Sequence, residues 1–292
     1  MHVWDDKAGH ITFRYKKYAY VKDRNGTFIS LYGDRLRRVN KWENDQPGLF
    51  ESDVMPEIRV LVDNYTDSEE PSVGHRTMIF DIEVEITDGF PDPKKAENKI
   101  TSIAFNDSIL NQYYCYVLDE SNKLNLDSDR TTKNKDGDII VSYTNEYDLL
   151  NAFFQKYIEI RPTILTGWNV EFFDINYLYN RAQQVVGQDI ANVMSPIGQV
   201  QWSDFSKRYK IAGVSVLDYL ALYKTFTFSQ RASYRLDAIG EYEVGEKKVA
   251  YEGTLNDLYE NDIDKFVQYN LQDVKLVQKL DDKLNFIDIG RG

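Results

Sequence analysis

The 292-residue sequence is poor in cysteine and in long apolar runs. Its single cysteine, Cys115, excludes an intrachain disulfide and a cysteine-rich zinc site. Cys115 lies in the strand-like run 113–118, which favours a buried, inert thiol over a reactive one. No apolar stretch reaches membrane-spanning length, and the N-terminus lacks the basic and apolar regions of a signal peptide. We therefore expect a soluble, cytoplasmic protein with no membrane partner.

The sequence also lacks an excess of positive charge. Its 47 acidic and 35 basic residues give a net charge of −12, which alone argues against binding to nucleic acid. The charges are unevenly distributed, because residues 1–41 are rich in Lys and Arg, whereas residues 42–77 are acidic and are expected to form a solvated loop. Basic residues at 207–210 could contact phosphates, although a solvated surface explains them equally well. Metal ions bound by carboxylates would also cancel part of the negative charge.

Low-complexity tracts and internal repeats are absent as well, and 42% apolar residues are ample for a packed core. The first segment alternates polar and apolar residues around turn signals. Asn25 and Gly26 stand between two such runs and predict a β-hairpin. The sequence therefore predicts a small β-rich domain over residues 1–75, a boundary near residues 66–76, and a second domain over residues 76–292.

From residue 77 onward, patterns typical of strands alternate with patterns typical of helices. The expected strands are 78–84, 99–105, 112–118 and 163–166, and the expected helices are 146–160, 173–186 and 262–285. The polar stretch 119–138 is expected to be a loop, and Asp262 is a suitable N-cap for the last helix. This order predicts a mixed α/β fold in which helices flank a mixed β-sheet.

Two acidic residues interrupt the first buried strand of this region. Asp81 and Glu83 are two positions apart, so their side chains point to the same face of the strand. Carboxylates within a buried apolar strand are costly unless they are paired or bind a metal ion. They are also the hard oxygen ligands that Mg²⁺ prefers. In isolation, a half-exposed strand with one polar face explains the pair as well as a metal site does.

Three further residues extend this acidic pattern. Asp174 lies at the start of an expected helix, where an aspartate usually caps the helix or pairs with its dipole. Tyr269 and Asp273 are four positions apart on the last helix, so a phenol can stand beside a metal-bound carboxylate. Such a pair is common by chance in a chain with 21 tyrosines.

The order and the contexts of these residues resemble a known family. The segments Phe80-Asp-Ile-Glu-Val84, Thr166-Gly-Trp-Asn-Val-Glu-Phe-Phe-Asp174 and Tyr269-Asn-Leu-Gln-Asp273 resemble, in that order, the three exonuclease motifs of family B DNA polymerases. Further segments are similar to the replicative polymerases of large tailed bacteriophages: 89–93, 195–198, 213–220, 222–224 and 251–253. A phage origin would set the cytoplasm of an infected bacterium as the location.

The resemblance implies a ribonuclease-H-like exonuclease domain, preceded by part of the family's N-terminal domain. It implies two divalent ions, Mg²⁺ or Mn²⁺, with Asp81 bridging both. Glu83 and Asp273 would complete the first metal site, and Asp174 would hold the second. Tyr269 would orient the attacking water, a role that histidine takes in a sister subclass. None of the three histidines lies near the third motif, which agrees with the tyrosine (DEDDy) version.

The same resemblance implies a 3′→5′ proofreading exonuclease that releases 5′ mononucleotides from single-stranded or frayed DNA. Phe90, Asn169 and Phe173 are candidates to contact the last unpaired bases, with core packing as the alternative for both phenylalanines. Lys248 is a candidate neighbour of the scissile phosphate, with a surface lysine as the alternative. Residues 201–211 correspond to a β-hairpin that helps to part primer from template in these polymerases, and here the segment is short.

The motifs of polymerase synthesis do not occur in the sequence. We expect no palm, fingers or thumb in this chain, and the N-terminal domain is expected to be abridged. An excised segment, a truncated gene and one part of a polymerase encoded in pieces all fit, so the remaining polymerase fragment is a candidate partner. Two other functions stay open. One is a DNA-binding or assembly fragment of a split polymerase with little activity alone, and the other is a free-standing exoribonuclease of the same superfamily.

Overall fold

A computed structural model describes residues 1–5, 7–43, 45–68 and 73–291. The chain divides into two compact units, Met1–Gly74 and His75–Gly292, which are treated separately below. The expected domain boundary near residues 66–76 lies partly outside the described residues. Assignment of the first unit to the N-terminal domain of a polymerase stays a prediction. No helix within the described residues is long and apolar enough to cross a membrane.

The first unit is β-rich, as expected, and carries one helix among its described residues. Its elements are β1 (His2–Asp5), β2 (Gly9–Thr12), β3 (Ala19–Lys22), β4 (Phe28–Ile29), β5 (Arg35–Val39), β6 (Leu49–Phe50) and α1 (Pro56–Tyr65). The first two strands form an antiparallel pair, and β4, β5, β3 and β6 form a second antiparallel sheet in that order.

Two local predictions for this unit are wrong. Asn25-Gly26 does not join a hairpin, because β3 and β4 each pair with β5 and not with each other. Gly26 is instead needed for close approach, since a Cβ at this position would collide with the Leu36 carbonyl oxygen. The acidic stretch, expected to be a loop, contains α1, which begins at Pro56, where the fixed φ of proline suits the first helical position.

The described part of the second unit is built around a seven-stranded mixed sheet. Its strands are β7 (Thr77–Val84), β8 (Ile100–Asp107), β9 (Gln112–Leu118), β10 (Thr131–Lys133), β11 (Ile139–Tyr143), β12 (Ile164–Thr166) and β15 (Ser215–Val216), while β13 (Val200–Ser203) and β14 (Arg208–Ile211) form a separate hairpin. The sheet order is β10-β11-β9-β8-β7-β12-β15. The pairs β11–β9, β7–β12 and β12–β15 are parallel, and the others are antiparallel.

Helices cover both faces of this sheet. They are α2 (Glu146–Ile160), α3 (Asp174–Val185), α4 (Gln188–Ala191), α5 (Tyr219–Phe226), α6 (Leu236–Val244), α7 (Leu255–Asn261), α8 (Ile263–Leu284) and α9 (Phe286–Arg291), with a short 3₁₀ turn at Asn192–Met194. Asn145 caps α2 by accepting from the Asp148 N–H, and Asp262 caps α8 in the same way from Lys265. The predicted mixed α/β fold with flanking helices is confirmed. Strand β10 lies within residues 119–138, which were expected to form a loop. Helix α9, which follows α8, was not predicted either.

The alternation of side chains along β7 separates two cores. Met78, Phe80 and Ile82 belong to the cluster that packs with α2 and α3, whereas Ile79 belongs to the cluster that packs with α8. Odd-numbered positions of β7 therefore face α8. Cys115 lies in the second cluster and is fully buried, as expected, and burial raises the pKa of its thiol, which agrees with an inert cysteine.

Candidate active site

Strand β7 carries two acids on the face that α8 covers. Asp81 lies opposite Ala104 of β8 and Glu83 lies opposite Ser102, so β8 presents only small side chains beside them. The register of β7 against β8 shifts between Glu83 and Val84. A register shift of this kind interrupts regular pairing, and β-bulges, which shift the register in this way, are common beside active sites.

Helix α8 brings the third carboxylate to this face. Carboxylate oxygens of Asp81, Glu83 and Asp273 all lie within 4.8 Å of one another. Tyr269 stands one helical turn before Asp273, as the four-residue spacing predicts. These four side chains come from parts of the chain that are far apart in sequence, and α8 packs across β7, β8 and β9 to join them.

Asp174 reaches the same strand from the start of α3. It is buried, and its Oδ1 accepts a hydrogen bond from the Ile82 N–H at 3.0 Å. It is therefore tied to the segment between Asp81 and Glu83 and does not act as the N-cap of its own helix, a position that Phe173 occupies. Asp174 is not one of the three carboxylates that lie within 4.8 Å of one another.

The turn that precedes Asp174 is held at two points. Asp218, itself buried, accepts hydrogen bonds from the backbone N–H groups of Asn169 and Glu171 at 3.1 and 3.0 Å. At the start of the turn, a Cβ on Gly167 would stand 2.5 Å from the Phe80 carbonyl oxygen on β7. Only glycine lets this turn pass so close to the strand that carries Asp81.

The electrostatics of the site are those of clustered, desolvated acids. Burial and the charges of neighbouring carboxylates hold the pKa values of Asp81 and Glu83 well above their ordinary range. Burial also raises the pKa of Asp273, against the influence of Lys248, and raises the pKa of Asp174 to about 7, even though the Ile82 N–H opposes that shift. Folding therefore brings several acidic groups together at a cost in free energy, and a bound cation would reduce the repulsion between them.

One basic residue, Lys248, lies inside this acidic cluster. Its Nζ lies 2.8 Å from Asp273 Oδ1, and it donates to Asp273 Oδ2 and to the Tyr269 hydroxyl at 3.0 Å each. Burial opposes the charge on Lys248, but Asp273 outweighs burial and raises the lysine pKa. Burial also raises the pKa of Tyr269 to about 12, so its phenol keeps its proton at neutral pH.

Two observations show that the cluster suits a divalent cation. Carboxylate oxygens of Asp81, Glu83 and Asp273 lie within 4.8 Å of one another. The ion pair of Lys248 with Asp273 compensates only part of this negative charge, because the pKa values of Asp81 and Glu83 stay raised beside it. Clustered carboxylate oxygens of this kind are the ligands that hard cations such as Mg²⁺ and Mn²⁺ take.

Comparison with known proteins identifies the family. Residues 43–239 match the family model for DNA polymerase family B, exonuclease domain. The chain is 34% identical to the DNA-directed DNA polymerase of Escherichia phage RB69 over 318 aligned positions, which cover 97% of this chain and 35% of that protein. The chain belongs to DNA polymerase family B. It is also 34% identical to the DNA-directed DNA polymerase of Enterobacteria phage T4, with 71% of this chain and 26% of that protein covered.

More distant relatives match as well, among them DNA polymerase 1 of Sulfurisphaera ohwakuensis, at 27% identity over 86% of this chain. The family match and the mixed sheet together confirm the predicted ribonuclease-H-like exonuclease fold and the predicted family. The part of family B that this chain represents is the exonuclease domain, so its activity is that of a nuclease. The chain spans between 26% and 35% of the length of these three relatives.

The residues predicted to contact DNA in this family B domain occupy different environments. Phe90 is 82% exposed, which excludes core packing for it, and its ring centroid lies 5.3 Å from that of Phe173. Phe173 is half-buried and packs against the core, with Tyr177 as its other ring neighbour. Asn169 is half-buried and has a positive φ of 65°, which asparagine tolerates better than most residues.

The short segment 201–211 forms most of the hairpin β13–β14, so the strands expected there are present. Phe205, between the two strands, is fully exposed. Arg208 on β14 forms an ion pair with Glu171, in the turn before Asp174. The hairpin is thus linked to the turn that leads into the carboxylate site.

One polar residue at the centre of the site was not predicted. Asn270 follows Tyr269 on α8 and is fully buried, with its amide against Asp81. Its only signal in the sequence is a polar residue at a position where the helical pattern turns toward the core. This pattern does not predict the hydrogen-bond partner of Asn270, because that partner, Asp81, lies 189 residues earlier in the sequence.

Proposed function

We propose that this family B chain is a 3′→5′ proofreading exonuclease of the tyrosine (DEDDy) subclass. It removes 5′ mononucleotides one at a time from single-stranded or frayed DNA 3′ ends with the help of two divalent ions, Mg²⁺ or Mn²⁺. The observation that carries the proposal is the convergence of Asp81, Glu83 and Asp273, within 4.8 Å, beside Tyr269. The family match supports the proposed 3′→5′ direction, which the cluster of acids alone does not specify.

Four carboxylates are the proposed ligands of the two ions. Asp81 would be a ligand of both ions, Glu83 and Asp273 would complete the first site, and Asp174 would hold the second. Bound ions supply an activated water for attack on phosphorus and stabilise the charge on the leaving 3′ oxygen. Asp174 suits its task because one oxygen is held by the Ile82 N–H, which fixes the carboxylate and leaves the other oxygen for an ion.

Tyr269 and Lys248 complete the chemistry around these ions. The phenol keeps its proton, so Tyr269 acts as a hydrogen-bonding group that orients the attacking water and not as a general base. Lys248 stands beside both Tyr269 and Asp273 and bears a positive charge where a phosphate would enter. When DNA and ions arrive, Lys248 exchanges its contact with Asp273 for one with the scissile phosphate.

The end of the DNA strand is held by stacking and not by base-specific contacts. Phe90 offers an exposed ring, supported from behind by Phe173, and Asn169 stands on the turn that leads to Asp174. Stacking on an aromatic ring tolerates every base, which proofreading requires. The exposed face of Phe90 therefore receives a terminal base, and Phe173 fixes the ring orientation.

The wider context of the chain is also part of the proposal. The first unit represents part of the N-terminal domain, and residues 76–292 form the exonuclease domain. The palm, fingers and thumb found in full-length relatives would be the protein partner. The matched relatives are DNA polymerases, so neither the exoribonuclease nor an inactive assembly fragment is favoured.

The proposal is tested by digestion of a 5′-labelled single-stranded DNA with Mg²⁺ or Mn²⁺. We expect a ladder of shortened products that chelator abolishes, and Asp81→Ala and Asp174→Ala should each suppress it by orders of magnitude. Asp119→Asn is the matched control, since this buried carboxylate binds the N–H groups of Lys123 and Leu124, away from the cluster. Wild-type activity in both alanine variants would overturn the metal assignment.

Three further experiments test the direction of digestion, the preference for DNA over RNA, and the absence of DNA synthesis. A phosphorothioate at the 3′-terminal linkage should slow digestion, whereas one at the 5′ end should not affect the first steps. An RNA strand of the same sequence should be a poor substrate, and faster digestion of RNA would favour the exoribonuclease. Primer extension with all four nucleotides should give no product, and synthesis by this chain would show that its function extends beyond an exonuclease.

A further inference from the structure

A chain of two polar side chains leads from β8 through α8 to a carboxylate of the site. The Asn270 amide Nδ2 donates to Asp81 Oδ2 at 2.7 Å and lies 3.3 Å from the Asp81 carbonyl oxygen. On its other side, Asn270 Oδ1 accepts from the Ser102 hydroxyl at 2.6 Å. Asn270 and Ser102 are both fully buried.

The direction of these hydrogen bonds is set by chemistry. A carboxylate that binds a metal ion is ionised and can only accept, so in that state the amide turns its N–H₂ toward Asp81 and its oxygen toward Ser102. The Ser102 hydroxyl then has to donate. Linked hydrogen bonds of this kind polarise one another and hold a single orientation in a buried site. Asp81 thus meets a donor whose direction is fixed from the neighbouring strand.

Asp81 needs such a donor more than an ordinary buried aspartate does. Glu83 and Asp273 lie beside it, and their repulsion favours rotation of the Asp81 side chain away from the cluster. The short bond to Oδ2 opposes that rotation, and it engages only one of the two Asp81 carboxylate oxygens. Side chains that hold metal ligands in this way typically change metal affinity when they are removed.

We infer that Ser102 and Asn270 form a positioning relay that fixes the Asp81 carboxylate for divalent-ion binding. This inference rests on the proposed function, since it takes Asp81 as a metal ligand. Neither residue touches the ions or the DNA. Both act through Asp81, so they set the affinity for the ion and do not take part in the chemical step.

The direct test measures Mn²⁺ binding to the full chain without DNA, by electron paramagnetic resonance of free Mn²⁺. Asn270→Ala should raise the Mn²⁺ dissociation constant about 10- to 100-fold. The matched control is Asn106→Ala, which removes another buried asparagine, on β8, whose side-chain oxygen accepts from the Ile79 N–H. This control should bind Mn²⁺ as the wild type does, even if it is less stable.

Ser102 supplies the second test, because its effect must pass through Asn270. Ser102→Ala should weaken Mn²⁺ binding about fivefold, the worth of one hydrogen bond. In the Asn270→Ala background, the same substitution should have no further effect, so the double-mutant cycle is strongly non-additive. Equal effects of Ser102→Ala in both backgrounds would overturn the relay.

The outcomes separate this inference from the proposed function. If wild-type protein and Asp81→Ala bind Mn²⁺ equally, the metal site itself is refuted. If Asp81→Ala loses binding while a folded Asn270→Ala binds as the wild type does, only the relay is refuted. Circular dichroism checks the fold of each variant, and if Asn270→Ala does not fold, wild-type Mn²⁺ affinity in Ser102→Ala refutes the relay.

Discussion

Asp174→Asn should make the metal-free protein more stable, although it removes a proposed metal ligand. The Asp174 side chain is 4% exposed, and burial raises its pKa from 3.8 to about 7. An asparagine keeps an oxygen for the Ile82 N–H and replaces the other oxygen with a neutral amide donor, which removes the repulsion from Asp218 and Asp273. The substitution thus removes a strained charge and keeps the contact that orients the side chain.

The sign and the size of the effect follow from proton linkage. The folded chain binds a proton at Asp174 more tightly than the unfolded chain does, so this group destabilises the fold as pH rises from about 3.8 to about 7. The shift of roughly three pKa units corresponds to about 4 kcal/mol at pH above 7, and to less than half of that near pH 5. For a unit of this size, about 4 kcal/mol raises the melting temperature by on the order of 10 °C.

The assay is thermal unfolding followed by circular dichroism with EDTA, near pH 8 and near pH 5. Asp174→Asn should melt above the wild type at the higher pH, and the gap should narrow at the lower pH. Asp119→Asn is the control, because both oxygens of Asp119 accept backbone N–H bonds, and losing one acceptor should cost about 1–3 kcal/mol. A variant that melts at or below the wild type near pH 8, or a gain that does not depend on pH, would refute the reasoning.

Three other substitutions test separate parts of the site. Tyr269→Phe should leave Mn²⁺ binding unchanged and lower the single-turnover cleavage rate about 100-fold, as expected when one orienting group is lost; an unchanged rate would exclude the role. Lys248→Ala should destabilise the metal-free protein by about 3 kcal/mol by leaving Asp273 unpaired. Mg²⁺ should therefore raise its melting temperature more than that of the wild type, and an equal rise would contradict this. Phe90→Ala should change stability by less than about 0.5 kcal/mol but weaken binding of a fluorescent single strand in EDTA by about 1–3 kcal/mol; unchanged anisotropy titrations would remove Phe90 from the DNA contacts.

The grouping of the acids on shared faces could be predicted from local, periodic signals, whereas their choice as candidate site residues depended on the order and contexts of the three motif segments. Asp81 and Glu83 share a face through the two-residue period of a strand, and Tyr269 and Asp273 share one through the four-residue spacing of a helix. Helix α2 and strand β9 have the predicted bounds for the same reason, since each combines a clear period with clear end signals. The hydrogen-bond partners of each carboxylate depend on packing between segments that are distant in sequence. A local sequence pattern does not predict these partners.

The missed elements lack such periods. Helix α1 exposes Ile58, Leu61 and Val62 while it buries Val60, so its apolar residues do not mark one buried stripe. At Asn25-Gly26, the sequence correctly marks a position that needs glycine, but the predicted hairpin is wrong. Gly26 is needed because β5 passes close to it. The Asn-Gly pair indicates that glycine is needed at this position. Only the tertiary structure shows that the backbone of Leu36 leaves no room for a side chain.

The tight turn at Gly167 has a genetic consequence. An alanine there would push its methyl group against the Phe80 carbonyl oxygen, so the turn would have to move away from β7. Asp174 follows this turn, while Asp81 stays on the strand, and the two would be displaced from each other with every carboxylate still present. Gly167 is therefore a position at which a mutation in the gene would disturb the candidate site although its four carboxylates and Tyr269 are all still encoded.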